Sequence, residues 1–151
     1  MSIFIPQILE NFNKRYSKAL FAAASAINIE KHFKGRPIVN AVTIDADYSK
    51  DLDDAIYAYL EGEFHIIEVS ISDVTEVIHR NSILDIEALR RASSVYMQEG
   101  VIHMFIPSLS TDKFSLNHQT NRAALTARIK LNSSFDPVDI EIEQDQKVIV
   151  E

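Results

Sequence analysis

The residues best suited to do chemistry lie in one short run, Thr43-Ile44-Asp45-Ala46-Asp47-Tyr48-Ser49-Lys50-Asp51-Leu52-Asp53-Asp54-Ala55. An apolar stretch, Ile38 to Ile44, delivers Asp45 at its end, and a short polar loop follows. Asp51 and Asp53 alternate, so they face one side of an extended chain, and Asp54 faces the other unless the chain bends. Carboxylates this close cannot all ionise cheaply, and repulsion raises their pKa values unless cations neutralise them. An oxygen-only donor set favours magnesium, manganese or calcium over zinc. In phosphodiester chemistry two such ions activate a water and stabilise the leaving oxygen. The run is not an EF-hand: no glycine holds the sixth position, and the twelfth residue from Asp45 is Ile56 rather than a glutamate. By spacing alone an exposed acidic loop is the commoner reading of such a run.

The elements around this run can be read from periodicity. From Pro6 onward Leu9, Phe12, Tyr16, Ala19, Leu20 and Ala23 recur at three- and four-residue steps, which predicts an amphipathic helix of about five turns. Gly35 and Pro37 end the helical segment. Strands are predicted over Ile38–Ile44, Ala55–Leu60 and Phe64–Ile71, the last two forming a hairpin around Glu61-Gly62-Glu63. Asp85–Ala92 has helical spacing. Val101–Ile106 reads as extended until Pro107. Ala124–Leu131 and Val138–Ile142 read as strands joined by the turn-rich segment 132–137, with a further strand over Lys147–Val150. The expected fold class is α+β, a mixed or antiparallel sheet with packed helices. The expected division is a helical segment, 1–36, before a main unit, 37–151.

Composition sets limits. The chain has 151 residues, 46% hydrophobic and 25% charged, which suits one ordinary domain with a real core. It has no cysteine, so disulfides, thiolate zinc sites and cysteine nucleophiles are excluded, as fits a cytoplasmic protein. No apolar run reaches the roughly 20 residues of a membrane span. The net charge of -7 runs against the basic surface that nucleic-acid binding normally needs. Five aspartates and one lysine in residues 43–54 contribute much of it, and bound cations would offset that cluster.

These motifs together resemble the RNB domain, the catalytic unit of the ribonuclease II and ribonuclease R family. Thr43-Ile44-Asp45 followed by Asp51-Leu52-Asp53-Asp54-Ala55 is similar to its opening motif. Val69-Ser70-Ile71-Ser72-Asp73-Val74 is similar to the family's V-H-I-A-D-V. Ser82, Leu84-Asp85, Glu87-Ala88 and Arg91 match a helix of the form S-x-L-D-x-E-A-x-x-R. Ser94-Val95-Tyr96, Val101-Ile102, Met104, Leu109-Ser110, Ser115-Leu116-Asn117 and Arg122 continue the match, which covers about residues 40 to 131. The resemblance implies magnesium-dependent hydrolysis of single-stranded RNA from its 3′ end, with manganese as a substitute metal. It implies that Asp45, Asp51, Asp53 and Asp54 are the catalytic, metal-holding aspartates and that Tyr96 contacts RNA bases. A ring there accepts any base, because stacking leaves sequence unread.

The remaining histidines, His65, His79, His103 and His118, lack metal-like spacing and read as structural or surface residues. Asp73 reads as a turn residue, and Arg122 as a phosphate contact or a structural ion pair. His103 and Ile106 stand where the family usually has prolines. The matching segment is less than half of a complete RNB domain, and the later T-S-P-I-R-R-Y-like motif with its catalytic arginine is absent from this sequence. The chain is therefore expected to be a truncated catalytic domain that needs a complementary RNB half, or a homo-oligomer, for activity. The alternative is a non-catalytic RNA- or protein-binding module.

Overall fold

The computed structural model describes residue 7 and residues 16–149, with side chains through residue 145. The predicted first helix falls partly outside the described residues. Within them the periodic run does not form one continuous helix through Tyr16. Ser17 has extended backbone (φ -70°, ψ 159°) and caps a new helix, α1 (Lys18–Ala26), by accepting the Leu20 N–H at 3.2 Å. A serine at this position supplies the acceptor that the first helical turn lacks. Tyr16, Leu20 and Ala24 still share one buried face. At the other end of α1, Lys113 Nζ donates to the carbonyls of Ala24 (2.8 Å) and Ile27 (2.7 Å). A short helix, α2 (Glu30–Phe33), follows.

Among the described residues seven strands follow: β1 (Ile38–Ala41), β2 (Asp54–Glu61), β3 (Phe64–Ser72), β4 (Val95–Met97), β5 (Gly100–Ile102), β6 (Asn121–Leu131) and β7 (Pro137–Ile149). Helix α3 (Ile83–Arg91) lies between β3 and β4. Ser82 caps it by accepting the Asp85 N–H, while Asp85 accepts the Asn81 N–H in return. The main sheet has the order β1-β7-β6-β3-β2, antiparallel except for the β1–β7 pair. Its edges meet where Val42 and Ile56 exchange backbone hydrogen bonds of 2.9 and 2.8 Å, so the sheet curls towards closure. The fold is thus α+β with a mixed sheet, as the sequence predicts.

The β2–β3 hairpin turns on Gly62 (φ +64°), the first position of a two-residue loop, where only glycine adopts this backbone without strain. The β6–β7 turn is built by Asn132, whose Oδ1 accepts the N–H groups of Ser134 and Asp136. Within the described residues the strands predicted over 138–142 and 147–150 belong to one long strand, β7, because pairing with β6 holds the backbone from Pro137 to Val148. Conversely, Val101–Ile106 is strand only to Ile102, and β4 had no alternation to reveal it.

One core joins the helices to the loops around them: Tyr16, Leu20, Ala24, Ile78, Leu84, Ile106, Leu109 and Phe114. The segment before residue 37 therefore packs into the same body as the elements after it. The sheet's two faces differ. Ile66, Glu68 and Ser70 on β3, and Ala124 and Thr126 on β6, are buried. The opposite face keeps Leu60, Ile71, Val138, Ile140 and Ile142 between 50 and 67% exposed. Contiguous apolar area of this kind marks a contact surface. No helix among the described residues is long and apolar enough to cross a membrane.

Candidate active site

The aspartate run occupies the loop between Val42 and β2, and Asp54 is the first residue of β2. Leu52 fixes its direction. Its side chain packs against Ala41, Ala55 and Leu116, its N–H donates to Ser115 Oγ at 2.9 Å, and its carbonyl accepts the Leu116 N–H at 2.8 Å. Ser115 Oγ also lies 3.1 Å from the Lys50 carbonyl. With Leu52 turned into this small core, period-two alternation turns Asp51 and Asp53 outward together. Both line a cleft of about 280 Å³ walled by Ile71, Val74, Met104, Phe105 and Phe114. Roomier hollows beside α1 and α2 (about 300 and 600 Å³) hold no comparable carboxylate pair.

Burial raises the Asp53 carboxyl above the usual range, and the charges of Asp51, Asp54 and Asp45 raise it further. The four aspartates are thus one electrostatic group. They do not form a finished cage: among the described residues no three acidic or imidazole groups are arranged to hold a metal ion. Asp45, Asp53 and Asp54 are exposed, Asp53 in part shielded by its neighbours, and Asp51 is half-buried. The donors fit a hard divalent cation in kind: all are carboxylates, and the proton affinity of Asp53 is the mark of charge that a cation would relieve.

The β4–β5 hairpin reaches this site. Tyr96 Oη donates to Asp51 Oδ2, and that carboxylate pushes the phenol up to about 12. The Tyr96 ring stays exposed at the mouth. His103 Nδ1 lies 3.7 Å from the same Oδ2. Sequence reasoning read His103 as structural or surface, and nothing in its spacing signals this approach. Tyr16 Oη donates to the carbonyls of His103 (2.9 Å) and Phe105 (3.0 Å), and Arg91 Nη1 donates to the His103 carbonyl at 3.3 Å. Tyr16, just before α1, and Arg91, the last residue of α3, thereby hold the segment after β5 that carries His103.

Arg122 resolves to a structural role. It is buried, and its guanidinium donates to the carbonyls of Ser115, Asn121 and Asp112. By fixing Ser115 it acts at one remove on the aspartate loop. Asp73 lies at a turn away from the cleft and accepts from Thr75 Oγ1 (2.8 Å) and Arg36 Nη1 (3.3 Å). His65 stacks on Phe135.

Residues 37–144 match the RNB domain family model, and the chain belongs to that family. It is 34% identical to Ribonuclease R of Mycoplasmopsis pulmonis over 117 residues, 76% of this chain and 16% of that protein. It is 40% identical to Ribonuclease R of Mycoplasma genitalium over 96 residues, 63% of this chain and 13% of that protein. The structure of the latter enzyme in complex with double-stranded RNA superposes with a TM-score of 0.83 at 25% identity, covering 93% of this chain and 27% of that one. The chain thus spans less than a fifth of the length of these curated relatives.

Proposed function

We propose that this chain carries the cation-binding aspartates of a magnesium-dependent hydrolytic exoribonuclease that degrades single-stranded RNA from the 3′ end. The observation that carries the reading is the placement of Asp51 and Asp53 on one cleft, with Asp45 and Asp54 acting electrostatically on Asp53, in a member of the RNB family. Asp45, Asp51, Asp53 and Asp54 hold magnesium, or manganese in its place. Held by these carboxylates, the cation would supply Lewis-acid chemistry, activation of a water and neutralisation of charge on the leaving oxygen. Tyr96 offers its exposed ring as a stacking surface for a base.

The reading includes a second polypeptide part. The apolar sheet face of Leu60, Ile71, Val138, Ile140 and Ile142 is the surface on which a complementary RNB part, or a second copy, docks. A complementary RNB part would supply the positive charge that stabilises the phosphate in the transition state, a contribution of about 10²–10³ in rate. One observation favours the alternative, a non-catalytic RNA- or protein-binding module: the aspartates are not gathered into a cage among the described residues.

The test is degradation of 3′-extended, labelled single-stranded RNA with magnesium, by the chain alone and with a complementing RNB part, beside Asp53→Asn. Shortening from the 3′ end that Asp53→Asn abolishes supports the proposal. RNA binding without cleavage under every condition selects the non-catalytic module.

A further inference from the structure

We propose that His103 is a positioning residue of the aspartate site, which together with Tyr96 holds the Asp51 carboxylate so that its second oxygen faces a bound cation. The inference rests on the reading of the aspartates as cation ligands and adds a residue to it. Three observations carry it. His103 Nδ1 is sealed from solvent and has no hydrogen-bond partner among the described residues. The carboxylate oxygen Asp51 Oδ2 lies 3.7 Å from it. That same oxygen already accepts the Tyr96 hydroxyl.

A buried nitrogen left unpaired is costly, and chains rarely keep one without a use. At 3.7 Å the imidazole is in electrostatic contact with the carboxylate but beyond hydrogen-bond length. The Tyr96 hydroxyl and the His103 ring both approach Oδ2, and Oδ1 has no hydrogen-bond partner among the described residues. A carboxylate held by one oxygen presents the other in a fixed direction, which is how outer groups tune a metal site. The two donors come from one rigid unit: Tyr96 pairs with Val101 across the β4–β5 hairpin, and His103 directly follows β5. Tyr16 and Arg91 clamp the His103 carbonyl, so the ring's approach to Asp51 is set by the residue before the α1 cap and by the end of α3.

The experiment is manganese binding to the full chain, followed by electron paramagnetic resonance and calorimetry, in the unsubstituted protein, Asp53→Asn, His103→Phe and His103→Asn. The asparagine amide nitrogen lies two bonds from Cβ, as Nδ1 does, so it keeps the donor. His103→Phe should weaken binding by about 10–100-fold, and His103→Asn should restore most of it. Equal affinity in His103→Phe and the unsubstituted chain overturns the positioning role while leaving the aspartate site standing. No manganese binding by the unsubstituted chain, or full binding by Asp53→Asn, overturns the cation site itself and this inference with it. A second readout leaves the His103 site chemically intact. In the 15N-labelled protein, Asp51→Asn should shift the His103 Nδ1 resonance, and an unmoved resonance contradicts the proposal.

Discussion

Ser115 Oγ accepts the Leu52 backbone N–H at 2.9 Å across 63 positions of chain. This bond, with the Leu116 N–H on the Leu52 carbonyl, joins the aspartate loop to the segment before β6. The geometry of the site is therefore set by a buried serine that carries no chemistry of its own. Ser115→Ala leaves the Leu52 N–H without its acceptor in a buried setting. The expected loss is about 1–3 kcal/mol of stability, measured by urea unfolding, with manganese affinity falling as well. Unchanged affinity at reduced stability would separate the loop's anchoring from its function.

Asp53 predicts a pH dependence with a definite sign. Its carboxyl is raised above 3.8 by burial and by Asp51, Asp54 and Asp45. The folded state therefore keeps this proton longer than the unfolded state does. The stabilisation is complete below the ordinary carboxylate value and is lost as pH rises through the folded value. In metal-free buffer, Asp53→Asn should raise the midpoint of thermal unfolding at neutral pH by a few degrees and flatten that part of the profile. Added magnesium should stabilise the unsubstituted chain and leave Asp53→Asn unmoved.

Tyr96 has two separable parts. Tyr96→Phe keeps the ring and removes the hydroxyl that meets Asp51, so it should weaken manganese binding and spare RNA affinity. Tyr96→Ala removes both, and loss of a stacked base costs about 1–3 kcal/mol of RNA binding. Fluorescence anisotropy on a short single-stranded RNA distinguishes them. Equal RNA affinity in all three proteins would remove the ring from the RNA path.

Glu87 couples stability to acid. Its Arg90 and Arg91 partners hold its carboxyl down at about 2, against an ordinary 4.5. A depressed acid contributes stability above its unfolded value and loses it as pH falls towards the folded one. Between pH 4.5 and about 2 the unsubstituted chain should lose stability that Glu87→Gln does not. Arg91 also stacks on the Tyr16 ring at 4.0 Å, so losing Glu87 should loosen the clamp on His103. Chemical denaturation at stepped pH reads both effects.

The apolar sheet face predicts association. Ile140 and Ile142 are 60 and 65% exposed, so replacing both with lysine removes little packing. Exposed substitutions usually fall within about 0.5 kcal/mol. Sedimentation velocity should find the unsubstituted chain self-associating or bound to a complementing RNB part, and the double variant monomeric. A monomer in both cases, with no capture of the complement, would remove this face from the functional reading.

The sequence by itself determined the family, the aspartate run and most of the element types. The aspartate run, the β2–β3 hairpin at Gly62 and the Asn132 turn are local: their residue types act through neighbours a few positions away, so periodicity and turn chemistry reveal them. The tertiary structure alone decided what surrounds Asp51. Tyr96, His103, Ser115 and Arg122 reach the loop directly or through one another from 45 to 71 positions away, by contacts that no local pattern encodes. The break at Ser17 was equally hidden, because its neighbours continue the helical period while its own hydroxyl caps a new helix. Side-chain type fixes which bonds a residue can make, and the fold fixes which partner stands within reach.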